Sequence, residues 1–142
     1  MARIELAGFS FVAVIGAMTA VGRNITMFDV SMLFLFNVLL VIFGFVHNDY
    51  EDYEIDCRLP ELKHRPLVNG SLSIKSALYG SIILFCISVI GSYIIYGIHT
   101  AALLTFSLLL AATYNKYSKR LIGADIFYGI SAGALFLFGT AA

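Results

Sequence analysis

His47-Asn48-Asp49-Tyr50-Glu51-Asp52-Tyr53-Glu54-Ile55-Asp56, read on through CRLPELKHRPLVNGSLSIK to Lys75, is the stretch that decides the fold. It gathers most of the acidic residues of an otherwise apolar sequence. A long apolar run leads into it, and neither Gly nor Pro occurs between Gly44 and Pro60, so a helix that begins among the apolar residues is predicted to continue through the acidic ones. At roughly 100° per residue, Asn48, Asp49, Asp52 and Asp56 fall within an arc of about 100°, whereas Glu51 and Glu54 point to the other side. Three aspartates therefore share one face.

Like charges at this spacing destabilise a helix by a few tenths of a kcal/mol per pair, and by more where the dielectric is low. A divalent cation would offset them. Carboxylate oxygens are hard donors that suit Mg²⁺, which takes one or two protein carboxylates and completes its shell with water and phosphate oxygens. Directly downstream lie Arg58, Lys63, His64 and Arg65, and the arginines and lysine are of the kind that holds phosphate. His64 is assigned no role. The plainer reading is a solvated helix end, as charge runs usually are. The division of Asp and Glu between two faces, and the Arg65-Pro66 that follows, weigh against it.

These residues resemble a known family, the UbiA-type intramembrane prenyltransferases, whose first aspartate-rich motif is N-D-x-x-D-x-x-x-D. Asn48, Asp49, Asp52 and Asp56 match it position for position, and Arg65-Pro66-Leu67-Val68-Asn69-Gly70 matches the R-P-x-x-x-G segment that follows, with Ser71 and Ser73 opening the next helix. The resemblance implies an all-α bundle of transmembrane helices, a Mg²⁺ cofactor held by Asp49, Asp52 and Asp56, and a polyprenyl diphosphate as donor. Asn48 and Arg65 would then bind the diphosphate. The family closes a later helix with Y-x-x-x-K, and here the spacing departs from that, because Tyr114 precedes Lys119 by five positions and Lys116 by two. Tyr114 and Lys119 are carried over as diphosphate-binding residues, with Lys116 as the competitor. Asp125 stands where relatives often have Asn and is not taken as a ligand.

The composition agrees with a membrane protein. Of 142 residues, 60% are hydrophobic and 13% charged, with no Trp, and the mean hydropathy is +0.90. Net charge is zero, which implies no long-range attraction to nucleic acid. Cys57 and Cys86 lack the spacing of a zinc site or a redox pair. The N-terminal apolar run has no charged leader or small-residue cleavage site, so Met1 onward reads as mature protein.

Five apolar segments follow in order. Residues 6–21 form a first predicted span with small residues suited to close packing, and 30–46 form a second, in which Asn37 needs a polar partner. Pro60, Pro66 and Asn69-Gly70 break the chain before a third helix over 76–95, capped by Ser71 or Ser73. A short break at Tyr96, Gly97 and His99 precedes a fourth helix over 100–113, and 126–142 make a fifth. If the helices alternate in direction, eight of the nine Lys and Arg residues lie at one end, with only Arg23 opposite. The positive-inside rule makes that end, with the N-terminus, cytoplasmic in a cell membrane.

The resemblance also implies what is missing. Family members have roughly nine spans and a second aspartate-rich motif in a later loop, whereas no carboxylate side chain follows Asp125 here. Residues 1–142 are accordingly expected to be the N-terminal part of one transmembrane domain, inactive or nearly so by themselves. The implied reaction is transfer of a prenyl group, an alkyl group other than methyl, to an acceptor. NDYEDYEID followed by RPLVNGSLS is most similar to archaeal digeranylgeranylglyceryl phosphate synthase-like members, whose acceptor is geranylgeranylglyceryl phosphate, while members with aromatic acceptors in quinone, haem or chlorophyll synthesis share the first motif. Two readings lie outside the family. A CDP-alcohol phosphotransferase would need D-G-x-x-A-R before Asp52, which is absent, and a non-catalytic cation-binding module would carry charges within several spans.

Overall fold

The computed structural model describes residues 14–16, 18, 19, 21, 22 and 24–142. Four helices account for most of these: α1 over Met27–Asp56, α2 over Ile74–Tyr96, α3 over Ile98–Tyr117 and α4 over Asp125–Ala141, with a single 3₁₀ turn at Pro60–Leu62. The span expected over 6–21 lies largely outside the described residues. Of its described members, Val14 and Met18 are buried in the common core.

Helix α1 starts at Met27, three residues ahead of the expected span, because Thr26 and Asp29 form a reciprocal cap. The Asp29 backbone N–H donates to Thr26 Oγ1 at 3.2 Å and the Thr26 N–H to Asp29 Oδ2 at 3.0 Å. Asp29 thus belongs to the helix and not to the turn before it. No break interrupts the next 30 residues, a length of about 45 Å against a hydrocarbon core of about 30 Å. The last turns, which carry the aspartates, therefore extend past the apolar slab.

Ser73 caps α2 by accepting from the Ser76 N–H at 3.1 Å, settling the choice between Ser71 and Ser73. The expected break at 96–99 shrinks to one residue, Gly97, whose φ of +92° reverses the chain between α2 and α3 where a Cβ would be strained. Helix α3 then runs to Tyr117, a full turn beyond the expected end. Among the described residues, α1, α2 and α3 are long and apolar enough to cross a membrane, while α4 is apolar but has 17 residues.

Helices α2 and α3 pack on α1, and α4 packs on α3. Leu33, Phe36 and Phe43 of α1 meet Leu104 and Leu108 of α3 and Leu135 and Phe138 of α4 in a shared core. Asn37, Ser107 and Ser131 find partners for their buried polar groups, as a bilayer demands, whereas the buried Ser92 Oγ of α2 has no hydrogen-bond partner among the described residues. Asn37 donates to its own helix at Leu33 O, 3.0 Å away. Ser107 and Ser131 exchange hydrogen bonds between α3 and α4, Oγ to the opposite carbonyl, at 3.0 and 2.9 Å. Meanwhile Ile83, Ile87, Ile90 and Ile94 of α2 stay exposed on the outer surface, where lipid would cover them.

Candidate functional site

The chain direction brings the end of α1, the loop to α2, the end of α3 and the start of α4 to one end of the bundle. There Asp49, Asp52 and Asp56 line up over the last two turns of α1, with Asp52 and Asp56 only 4% and 3% exposed. The Asp49 side chain is 46% exposed. Asn48 donates from Nδ2 to Asp52 Oδ2 at 2.9 Å, the one-turn contact that the motif spacing allows.

The loop after α1 is folded compactly. The Arg65 N–H bonds to Leu62 O, the Asn69 N–H to Arg65 O and the Leu72 N–H to Pro66 O, while Gly70 turns at a φ of +80°. Asn69 Oδ1 accepts from the Ser71 N–H at 2.9 Å, and Leu67 is buried as the loop's apolar anchor. This folding aims Arg65 back at α1, where Nη1 donates to Asp56 Oδ2 at 2.5 Å and to Asp49 Oδ1 at 3.3 Å. A cleft of about 70 Å³ opens beside these groups between Val46, Tyr53, Pro66 and Leu67. His64 binds only its own loop, through Nδ1 and Glu61 O at 2.9 Å.

The second cation arrives from 67 residues further along. Lys119 Nζ lies 2.7 Å from Asp52 Oδ2, the oxygen that also accepts from Asn48. Lys116, the competing residue, is exposed and lies over the Tyr117 ring at 5.8 Å. Tyr114 is directed elsewhere: its ring packs at 5.4 Å against Tyr128 of α4. Of the two carried-over residues, the structure brings Lys119, in the turn after α3, to the aspartates and Tyr114, on α3, to α4.

Along the cleft, Asp49 and Asp56 outnumber Arg65, and the Asp52–Lys119 pair stands outside its lining. Among the described residues, no three His, Cys, Asp or Glu side chains converge into a ready-made metal cage. The three aspartates are spread along the helix, so an ion here would draw on one or two of them and on ligand oxygens, the way Mg²⁺ is usually held beside phosphates. The all-oxygen donor set fits that ion.

Two residues that sequence reading passed over tie the site's helices together. Asn115 of α3 is buried, and its Nδ2 donates to Gly44 O of α1 at 3.1 Å and lies 3.5 Å from His47 Nδ1. His47 in turn stacks on Phe43 at 5.5 Å and has Nε2 3.9 Å from Glu51 Oε1. The only signal in the sequence is that each opens a polar cluster at the end of an apolar run.

The sequence model of the UbiA prenyltransferase family matches residues 9–142. Similar curated proteins include a digeranylgeranylglyceryl phosphate synthase of Methanosphaera stadtmanae, 34% identical over 65% of this chain and 33% of that protein. A 4-hydroxybenzoate octaprenyltransferase of Alkalilimnicola ehrlichii is 35% identical over 64% of this chain and 31% of its own length. The chain thus spans about a third of these relatives. Among solved structures, the apo structure of a UbiA homolog from Aeropyrum pernix K1 superposes with a TM-score of 0.77 at 23% identity, over 98% of this chain and 50% of that one. This last likeness speaks to the fold.

Proposed function

Because the chain belongs to the UbiA prenyltransferase family, we propose that its helices form part of an integral-membrane enzyme that moves a geranylgeranyl group from an allylic diphosphate to geranylgeranylglyceryl phosphate. The observation that carries this reading is the pairing of the α1 aspartate face with Arg65 and Lys119, cations supplied by two separate segments. Such an arrangement offers oxygen donors for a metal and guanidinium and ammonium donors for the oxygens of one diphosphate.

In this reading Asp49, Asp52 and Asp56, with Asn48 steadying Asp52, would hold Mg²⁺. When bound, the ion supplies neutralisation of the charge that builds on the departing diphosphate. Arg65 and Lys119 turn toward the diphosphate oxygens and donate charge-assisted hydrogen bonds that strengthen as the allylic C–O bond breaks and its electron pair leaves with the diphosphate. The apolar helix faces cover the prenyl tail and keep water from the allylic cation, so that the acceptor hydroxyl attacks carbon and gives up its proton. The site faces the cytoplasm, and the reaction is that of the whole enzyme, of which residues 1–142 are the N-terminal part of one transmembrane domain.

The test is binding of a non-ionisable geranylgeranyl diphosphate analogue to detergent-purified protein, with and without Mg²⁺. Asp52→Asn and Asp56→Asn are expected to weaken Mg²⁺-dependent binding about tenfold or more, as loss of a charged partner does. Metal-independent binding, or binding indifferent to both substitutions, would refute the reading. The 35% identity to an octaprenyltransferase of an aromatic acid favours a second acceptor class. Offering geranylgeranylglyceryl phosphate and 4-hydroxybenzoate in parallel, and identifying the prenylated product, separates the two.

A further inference from the structure

Resting on the diphosphate-site reading above, we propose that Asn115 is a positioning residue: by bonding α3 to the α1 backbone at Gly44, it delivers Lys119 to Asp52. Helices α1 and α3 both run toward the site, so their residues advance in parallel. From Gly44 to Asp52 is eight residues, about 12 Å of helix, whereas Asn115 lies two residues before the end of α3 and Lys119 two residues beyond it, in the turn that follows. The extended lysine side chain covers the remainder, which is where its ammonium is found, 2.7 Å from Asp52. A shift of α3 by one turn along α1 would carry the ammonium past Asp52.

Something other than the ion pair must set that register. The Lys119 side chain is 47% exposed, and a half-exposed pair is weak and costs the lysine its freedom. Asn115, by contrast, is 9% exposed, and its amide reaches a main-chain carbonyl that cannot move without moving α1. His47 stands beside the same amide and is itself held by Phe43, so the contact is backed on the α1 side. The bond joins residues 71 apart at the site end of the two helices. Asn115 touches neither Asp52 nor Lys119 through any hydrogen bond, so its influence on ligand binding passes through the placement of Lys119.

The test is a double-substitution cycle read by affinity for the same diphosphate analogue with Mg²⁺. Asn115→Leu keeps the side-chain size and suits an apolar helix, and Asn115→Ala serves if the leucine variant does not accumulate. Lys119→Ala and Asn115→Leu are each expected to lower affinity about tenfold, and the double variant is expected to bind no worse than Lys119→Ala. In parallel, the acylation rate of Lys119 relative to Lys116, followed by mass spectrometry without ligand, should rise several-fold when Asn115 is replaced. Losses that multiply in the double variant, or an unchanged Lys119 acylation rate, would overturn the positioning role while leaving the diphosphate site standing. Wild-type protein that shows no Mg²⁺-dependent binding would overturn both.

Discussion

Asp52 Oδ2 receives Asn48 from one turn back and Lys119 from the turn after α3, while one guanidinium nitrogen of Arg65 bridges Asp49 and Asp56. In the proposed site these cations would compete with a metal for the very oxygens that hold it, yet would serve the diphosphate when both are bound. This gives Arg65→Ala effects of opposite sign. Without diphosphate, titration calorimetry with Mg²⁺ should show affinity raised several-fold, because the carboxylates lose a counter-charge, whereas affinity for the diphosphate analogue should fall about tenfold. Lowered metal affinity in the variant would mean that Arg65 organises the carboxylates and does not compete for them. At the α3 end, Lys119→Ala should weaken analogue binding about tenfold, and Lys116→Ala by no more than about twofold, the worth of an exposed cation. Equal losses would return Lys116 to the site.

Individual elements were legible to different depths. The run without Gly or Pro correctly predicted α1 as one helix through the acidic motif, since backbone continuity is a local property. Its start was missed because the Thr26–Asp29 cap is a reciprocal pair that a lone Asp does not announce. The close approach at Gly139 was also invisible, because it depends on a neighbour far away in sequence: a Cβ there would lie 2.5 Å from Val14 O. Gly139→Ala is expected to destabilise the bundle by about 1–3 kcal/mol as α4 is forced outward. Gly133, in the same helix, has open space around its would-be Cβ. Gly133→Ala should be neutral or stabilise by up to about 1 kcal/mol through helix propensity. Thermal melts of both variants in one detergent check the contrast, and a Gly139→Ala midpoint at or above wild type would show that α4 packs differently.

At the scale of the whole molecule, the polar chemistry sits at one end of an apolar bundle. The two cysteines report on that polarity because both are free and exposed, Cys57 just beyond α1 and Cys86 midway along α2. If the site end faces the cytoplasm, as proposed, a membrane-impermeant maleimide should label Cys57 in inverted vesicles and leave it untouched in intact cells. Cys86, exposed midway along an apolar helix, should react only once detergent replaces the bilayer. Labelling of Cys57 from outside intact cells would invert the topology that the positive charges imply.

What the sequence determined by itself was whatever depends on short spacing: the helical spans, the aspartates on one face, the Arg-Pro loop and the family they mark. A helix turns through about 100° per residue, so contacts within two turns follow directly from the letters. Between helices the same arithmetic fails. Whether Lys116 or Lys119 meets Asp52 depends on how α3 is rotated and where it ends, and a three-residue step swings a side chain by about 300°. Only the packing of α3 on α1, with Asn115 against Gly44 and Phe43 in the common core, decided that Lys119 faces the carboxylates and Tyr114 faces α4. The tertiary structure decided between Lys119, which the resemblance put first, and its competitor Lys116, because their separation from Asp52 is set by side-chain volume and buried hydrogen bonds between segments more than 60 residues apart.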